Sequence, residues 1–178
     1  MGICVAVVGG GSWGTTVAHL VSHNTLTKLW CRDSEVAASI TQDHKNLRYL
    51  PDFSLSDDLT ASIHLEEVLH DADIALVAIP SQSFREVLCQ MKPYLREGTP
   101  ILSLAKGLEQ GTTYTMTQIV NEELQQTQRE FFLGQILLKK YFRVSQRLQC
   151  WLCPISQTQN SYTKFFSLRI SEFIQVPM

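Results

Sequence analysis

Three glycines near the start of the chain have the spacing of a phosphate-binding loop. Gly9, Gly11 and Gly14 form the pattern Gly-x-Gly-x-x-Gly directly after the apolar run Ile3–Val8. The first glycine of this pattern permits a tight turn, the second lets the backbone approach a pyrophosphate, and the third lets a helix pack closely on the preceding strand. The free N–H groups at the start of that helix favour negative charge. The sequence therefore predicts a dinucleotide-binding loop, and a tight turn without a ligand is the simpler alternative.

Two charged residues follow the second predicted strand, which covers Thr27 to Trp30. They lie about 20 residues beyond the glycines, where a dinucleotide fold contacts the adenosine ribose. An acidic side chain at that place binds the 2′-hydroxyl of NAD, whereas an arginine meets the 2′-phosphate of NADP. Arg32 and Asp33 stand side by side. They leave the choice of cofactor open, with Arg32 favouring NADP, and an exposed charged turn is the alternative for both.

Two later strands end in segments that could reach a ligand. Pro80 and Ser81 follow the buried run Ile74–Ile79, and Lys106 follows the strand Pro100–Leu104. Ligands of open parallel sheets bind at the carboxyl ends of the strands. We therefore expect Lys106 to contact a phosphate or a reacting oxygen, and a solvated surface lysine is the alternative.

The remaining pattern supplies the elements that must position these residues. Apolar spacing and capping residues indicate helices, and short apolar runs indicate strands. Their alternation predicts an α/β fold, a doubly wound parallel sheet of Rossmann type. The predicted helices cover Ser12–Ser22, Ser34–Ile40, Glu66–His70, Phe84–Met91 and Thr112–Leu124, and a further strand covers Leu59–Leu65.

Local signals refine these elements. Asp33 or Ser34 should cap the second helix, and Ser81 or Ser83 the helix from Phe84. The segment from Asn46 to Pro51 is expected to form an ordered loop near the cofactor. The inward-facing helical residues are predicted to be Val17, Leu20, Val21, Phe84, Val87, Leu88, Met91, Met116, Ile119 and Val120.

Composition excludes several classes of protein. The chain has 178 residues, 44% of them hydrophobic, and a net charge of −2. Lysines and arginines are scattered, which does not favour a nucleic-acid partner. There is no secretory leader and no apolar run near 18 residues. We therefore expect a soluble, cytoplasmic protein without membrane insertion.

The five cysteines do not indicate a disulfide framework, because their number is odd and no secretory signal accompanies them. Cys150 and Cys153 have the spacing of a redox or metal pair. No second pair or histidine cluster supports that interpretation, and no metal site is expected.

Several motifs together resemble the amino-terminal domain of bacterial-type NAD(P)-dependent glycerol-3-phosphate dehydrogenases. The Pro-Ser-Gln and Ala-Lys-Gly-Leu-Glu signatures are more particular than the glycine loop, and the resemblance covers residues 1 to about 124. The matching segments are Gly9–Thr15, Trp30-x-Arg32, Asn46-x-Arg48-Tyr49-Leu50-Pro51, Ala72-Asp73, Val77–Gln82 and Ser103–Glu109.

The resemblance implies a site and a reaction. Ser12, Trp13 and Arg32 would contact NAD or NADP, Tyr49 would lie near it, and Lys106 would reach both cofactor and substrate. The implied reaction is reversible hydride transfer between the nicotinamide and carbon 2 of dihydroxyacetone phosphate, which gives sn-glycerol 3-phosphate for phospholipid synthesis. A homodimer is the expected assembly of full-length members. The proton-donating lysine of the family's helical domain has no counterpart here, so no catalytic residue is assigned to this chain.

The resemblance stops after Leu124, where the family continues with the signature Ser-Gly-Pro-Asn-Phe-Ala-x-Glu. A shift of reading frame allows the codons of Phe131–Tyr141 to encode Val-Leu-Ser-Gly-Pro-Asn-Phe-Ala-Lys-Glu-Ile. The same shift lets Ile170–Met178 encode a segment like a later strand of the family. We therefore interpret 125–178 as a non-homologous, irregular tail that is out of frame. The Rossmann sheet would then be incomplete and the helical substrate domain absent.

Two functions of different class remain open. The first is a glycerol-3-phosphate dehydrogenase whose cofactor half lies in 1–124. The second is a catalytically inactive dinucleotide-binding remnant of a damaged gene. A 6-phosphogluconate-type reductase is a weaker third possibility, because the run Ala105–Glu109 argues against it.

Overall fold

The computed structural model describes residues 2–124, and the statements below concern that part of the chain. The predictions for Cys150, Cys153 and the shifted reading frame lie outside the described residues. The strands are β1 (Cys4–Val8), β2 (Leu26–Trp30), β3 (Lys45–Asn46), β4 (Leu50–Ser54), β5 (Leu59–Ser62), β6 (Ile74–Val77) and β7 (Ile101–Ser103). The helices are α1 (Ser12–Ser22), α2 (Ser34–Asp43), α3 (Leu65–Leu69), α4 (Phe84–Met91) and α5 (Met116–Leu124), with short 3-10 turns at Ser81–Ser83 and Lys92–Tyr94.

Five strands form one parallel sheet in the order β5-β2-β1-β6-β7. β1 lies in the middle, and its last residue, Val8, pairs with Trp30 of β2 on one side and Val77 of β6 on the other. The crossover from β5 at one edge to β6 on the other side of β1 reverses the direction of strand succession at β1. Because ligands of such sheets bind at the point of reversal, the carboxyl end of β1 is the expected site. The predicted doubly wound Rossmann-type sheet is confirmed.

Helices cover both faces of the sheet, as the alternation of side chains in β1 requires. Val5 and Val7 belong to the apolar cluster that includes residues of α1 and α2. Ala6 and Val8 belong to the opposite cluster, which includes residues of α3, α4 and α5. A strand buried on both faces explains why β1 reads as an uninterrupted apolar run.

Helix α1 packs on β1 mainly through small residues and not through its large apolar ones. The residues it buries are mostly small, with Gly14, Ala18 and Val21 among them. Val17 is only partly buried, and the expectation that Leu20 faces the sheet was wrong, since Leu20 lies outside the buried core. The small residues let the helix axis approach β1, so larger side chains are displaced to the flanks. The inward faces predicted for α4 and α5 are confirmed.

Several predicted boundaries differ from the structure. The strand expected over Leu59–Leu65 ends at Ser62, and α5 begins at Met116 instead of Thr112. Thr113 has a φ of 59°, which keeps this segment in a turn. The side chains of Ser81 and Ser83 do not cap α4, because the 3-10 turn leads directly into it and backbone carbonyls accept the first N–H groups.

The segment expected to be a loop is instead part of a small hairpin. Strands β3 and β4 pair in antiparallel fashion and enclose residues 47–49. This hairpin stands outside the main sheet. Separately, within residues 2–124 no helix has both the length and the apolar character needed to cross a bilayer.

Candidate nucleotide-binding site

The glycine loop, residues 9–14, turns the chain from β1 into α1. Gly9 has a φ of +126°, and a Cβ there would lie 2.5 Å from the carbonyl oxygen of Ala78. A Cβ on Gly14 would lie 1.8 Å from the carbonyl oxygen of Gly9. Both positions therefore exclude any side chain, for the reasons that the motif predicts.

Gly11 differs from these two because it faces open space. A Cβ on Gly11 would have no atom of the chain within 4 Å, and its φ of −74° is available to any residue. Gly11 is the N-cap of α1, no side chain caps this helix, and its first turn contains no acidic residue. The first N–H groups of the helix therefore have no intrahelical partner. Such an open terminus, with the positive end of the helix dipole, suits a phosphate group.

The hairpin lies against this terminus. The Ser12 hydroxyl donates a hydrogen bond of 3.3 Å to the carbonyl oxygen of Tyr49. Trp13 and Tyr49 remain 40% and 43% exposed, so both present aromatic surface beside the start of α1. The structure therefore brings Gly9, Gly11, Gly14, Ser12, Trp13 and Tyr49 together at one end of α1.

Asn46 fastens the hairpin to the glycine loop, and sequence reasoning gave it no role. Its side chain is completely buried, and Nδ2 donates to the Gly10 carbonyl at 3.0 Å and to the Thr15 hydroxyl at 2.8 Å. The Thr15 hydroxyl in turn donates to the Gly10 carbonyl at 3.3 Å. The N–H of Tyr49 donates to Asn46 Oδ1 at 3.1 Å. No local pattern could indicate the contacts of Asn46 with Gly10 and Thr15, which lie 36 and 31 positions away in the sequence.

The structure separates the roles of the two charged residues after β2. Asp33 Oδ1 accepts hydrogen bonds from the N–H groups of Glu35 and Val36, which confirms Asp33 as the cap of α2. Asp33 Oδ2 accepts from Arg48 at 2.6 Å. By contrast, within residues 2–124 the exposed guanidinium of Arg32 makes no hydrogen bond or ion pair. Arg32 is thus available for a ligand, whereas the Asp33 carboxylate already has partners.

Lys106 lies at the same edge of the sheet, on the opposite side of the glycine loop from Arg32. Arg32 follows β2, and Lys106 follows β7, two strands from β1. Neighbouring strands are about 4.8 Å apart, so Lys106 stands about 10 Å across the sheet from the end of β1. Lys106 is exposed and, in the described part of the chain, its ammonium group has no hydrogen-bond or ion-pair partner.

Polar contacts hold the lysine loop, residues 104–115, against α4. Arg85 contacts Glu109 through two parallel hydrogen bonds, Nε to Oε1 at 2.7 Å and Nη2 to Oε2 at 2.9 Å. Gln82 donates from Nε2 to the Leu108 carbonyl at 3.0 Å and accepts from the Gln110 N–H at 3.0 Å. The sequence singled out Gln82 and Glu109 only as parts of motifs, and Arg85 was missed.

Charge and burial shift several pKa values near these loops. Hydrogen bonds from Arg85 and then Thr112 lower the pKa of Glu109 to about 2. Hydrogen bonds from Arg85 also lower the pKa of Glu123 on α5. Burial raises the pKa of Cys31 to about 12, so this thiol stays protonated beneath Gly10. Cys4, Cys31 and Cys89 are all free thiols.

The described residues contain no group of three or more His, Cys, Asp or Glu side chains able to hold a metal ion. The open edge does carry the backbone N–H groups at the start of α1 and the unpaired cations Arg32 and Lys106. This donor set matches a phosphate-rich organic anion.

The fold and site together define a dinucleotide-binding domain of Rossmann type. The sequence profile described as "NAD-dependent glycerol-3-phosphate dehydrogenase N-terminus" matches residues 4–134. The chain belongs to this family, and the predicted resemblance is confirmed.

Individual relatives agree with this assignment. A glycerol-3-phosphate dehydrogenase (NAD(P)+) 2 of Sphingopyxis alaskensis is 43% identical over 124 residues, which are 70% of this chain and 37% of the relative. A glycerol-3-phosphate dehydrogenase (NAD(P)+) of Acinetobacter baumannii is 44% identical over 137 residues, 76% of this chain and 38% of the relative. The crystal structure of glycerol-3-phosphate dehydrogenase from Coxiella burnetii superposes with a TM-score of 0.69 at 29% identity, covering 76% of this chain and 40% of that one. The matched region thus spans less than half the length of each of these proteins.

Proposed function

We propose that residues 2–124 bind a nicotinamide dinucleotide, NAD or NADP, along the carboxyl edge of the sheet. The observation that supports this most strongly is the uncapped start of α1, where Gly11 faces open space beside free N–H groups. A pyrophosphate fits such a terminus because the N–H groups donate to its oxygens and the dipole favours its charge.

The proposal assigns roles to the predicted residues. Gly9 and Gly14 shape the turn, Gly11 and Ser12 face the pyrophosphate, and Trp13 and Tyr49 flank it. Arg32 contacts the adenosine side of the cofactor, and Lys106 the nicotinamide side and the substrate. The order of the strands supports this division, because β2 and β7 lie on opposite sides of β1. The cofactor-binding residues are thus Gly9, Gly11, Ser12, Trp13, Gly14, Arg32, Tyr49 and Lys106.

Among the two cofactors, the contacts favour NADP. Asp33 already binds the start of α2 and Arg48, so its carboxylate is poorly placed to accept a hydrogen bond from a ribose hydroxyl. The unpaired guanidinium of Arg32 suits a 2′-phosphate, which it can bind through two hydrogen bonds.

We extend the proposal to the reaction of the family. The full-length enzyme would reduce dihydroxyacetone phosphate to sn-glycerol 3-phosphate in the cytoplasm, which supplies glycerophospholipid synthesis, and would act as a homodimer. The bound nicotinamide would supply the hydride. Lys106 would bind substrate phosphate or the polarised oxygen as a positive charge. We assign no catalytic acid to this chain, and no metal, nucleic acid or membrane takes part.

The domain organisation is part of the same proposal. Residues 1–124 form the dinucleotide-binding domain, and 125–178 derive from a change of reading frame. Sequencing the gene around codons 120 to 130 tests this, because an intact frame without an insertion or deletion would contradict it.

Two measurements separate enzyme from inactive remnant. Titration calorimetry with NADPH and NADH tests cofactor binding, and we expect tighter binding of NADPH. A second assay follows NADPH oxidation after addition of dihydroxyacetone phosphate. Binding with turnover supports the dehydrogenase, and binding without turnover supports the remnant. A chain that binds neither cofactor contradicts the proposed site.

A further inference from the structure

The peptide unit between Gly10 and Gly11 connects the buried side of the glycine loop to its open side. In a trans peptide the C=O and N–H groups point in opposite directions, and no cis peptide bond occurs among the described residues. The Gly10 carbonyl points inward, where it accepts hydrogen bonds from Asn46 and Thr15. The Gly11 N–H of the same peptide must therefore point outward, to the side on which a phosphate would lie.

A peptide flanked by two glycines is easily rotated, because neither residue has a Cβ to restrict its dihedral angles. Hydrogen bonds to the carbonyl therefore help to hold its orientation, together with the packing of Gly10 against Cys31. Asn46 Nδ2 donates the shorter of the two hydrogen bonds to this carbonyl. The same Nδ2 group also donates to the Thr15 hydroxyl, and that hydroxyl donates the second hydrogen bond to the Gly10 carbonyl. The amide of Asn46 thus organises both donors to the Gly10 carbonyl.

The same amide holds the aromatic side of the site. Its Oδ1 accepts from the Tyr49 N–H, and the Tyr49 carbonyl accepts from the Ser12 hydroxyl at the start of α1. Asn46 has no exposed surface, so water cannot replace it in these bonds.

We propose that Asn46 is a positioning residue for nucleotide binding. Its amide fixes the Gly10 carbonyl inward, which aims the Gly11 N–H at the pyrophosphate, and it keeps the Tyr49 turn against Ser12. This inference rests on the proposed function, because it needs a phosphate-bearing ligand at Gly11.

The direct test is Asn46→Asp, which keeps the shape of the side chain but replaces the Nδ2 donor with an oxygen. The variant is compared with the unaltered chain by calorimetry with NADPH and by the NMR shift of the Gly11 amide on adding ADP-ribose. We expect NADPH to bind about tenfold more weakly or worse, and the Gly11 amide to lose its response. Unchanged affinity would overturn the inference.

Two controls separate positioning from loss of stability. Asn121→Asp makes the same chemical change at an exposed position of α5. Ile119→Ala lowers stability from the buried core on the opposite face of the sheet. Both should retain NADPH affinity while folded. If Ile119→Ala weakened binding as much as Asn46→Asp at an equal loss of thermal stability, Asn46 would be merely structural.

Two further measurements apply where Asn46→Asp does not fold or the unaltered chain does not bind a nucleotide. Should Asn46→Asp not fold, Thr15→Val removes the second donor to the Gly10 carbonyl, and we expect about two- to fivefold weaker binding; unchanged affinity would overturn the inference. Should the unaltered chain bind no nucleotide, the proposed function fails by itself. A crystal structure of Asn46→Asp then decides the orientation, since an unrotated Gly10–Gly11 peptide would contradict the role of Asn46.

Discussion

The glycine loop and the lysine loop lie at the same edge of the sheet but are held by different physical forces. Close backbone packing and neutral hydrogen bonds from the buried Asn46 fix the glycine loop. The lysine loop is fixed largely by the ion pair between Arg85 and Glu109, whose side chains are 27% and 13% exposed. Salt and protonation weaken partly exposed ion pairs far more than buried neutral contacts. The lysine loop should therefore respond to solution conditions more than the glycine loop.

The largest expected effect comes from a substitution in the glycine loop. Gly14→Ala places a Cβ 1.8 Å from the carbonyl oxygen of Gly9, an overlap that only a backbone shift can relieve. We expect a loss of more than about 3 kcal/mol in the free energy of unfolding, or failure to fold. Urea denaturation measures it, with Gly2→Ala as control because a Cβ there meets nothing within 4 Å. A stable Gly14→Ala variant would contradict the close packing of α1 on β1.

The second largest expected effect comes from a substitution in the lysine loop. Glu109→Gln removes the charge from the paired contact with Arg85, so Lys106 should be held less firmly. We expect the Kd for NADPH to rise about two- to fivefold, with a smaller change for ADP-ribose, which lacks the nicotinamide.

Glu122→Gln is a matched control for this variant. Glu122 also contacts Arg85, at 2.8 Å, but it lies on α5 and outside the lysine loop. Its substitution should leave NADPH affinity unchanged. Equal effects of the two variants would show that Arg85 does not act through the loop.

Acid should release the lysine loop before the glycine loop. Because the pKa of Glu109 is lowered from 4.5 to about 2 in the folded chain, its ionised form stabilises the fold. This stabilisation is fully present above pH 4.5 and is lost as the pH falls towards 2. In thermal scans from pH 6 to pH 2.5, the Tm advantage of the unaltered chain over Glu109→Gln should stay constant down to about pH 4.5 and shrink below it. A constant difference would show that ionisation of Glu109 is not involved.

The smallest expected effect comes from a histidine in α1. His19 Nδ1 accepts a hydrogen bond of 3.0 Å from the Ser56 N–H, which requires a neutral ring. Burial, and secondly the charge of His23, lower the pKa of His19 below its ordinary value of 6.5. Stability is therefore retained above pH 6.5 and falls as the pH drops below it. We expect a fall in Tm of about 1–2 °C between pH 7 and pH 5, which His19→Gln removes. An unaltered pH profile in that variant would contradict this.

The glycine loop and the lysine loop also differ in how fully the sequence predicts them. The glycine loop is predictable because local steric demands leave a local signature. The observed bounds of α1 and α4 follow from apolar spacing, which is also local. The lysine loop was located by its place after a buried strand, but its partner Arg85 was missed. An ion pair between residues 24 positions apart has no local pattern.

Two errors have a common origin in the limits of apolar periodicity. The hairpin of β3 and β4 was expected as a loop, because its strands are short and largely exposed and carry no alternating apolar pattern. Leu20 was placed in the core from helical spacing alone, whereas the close approach at Gly14 and Ala18 determines which residues face the sheet. Apolar periodicity predicts that a helix has a buried face, but not how near it lies to its neighbour.

The central claim is that a nicotinamide nucleotide binds at the open start of α1, and Gly11→Ala tests it most directly. A Cβ at Gly11 touches no atom of the chain and needs no unusual backbone angle, so stability should be unchanged. It enters the space assigned to the pyrophosphate, so NADPH should bind at least about tenfold more weakly than to the unaltered chain. Calorimetry on the two proteins, with Gly2→Ala as control, gives the answer. Equal NADPH affinity in the folded Gly11→Ala variant and the unaltered chain would contradict the claim.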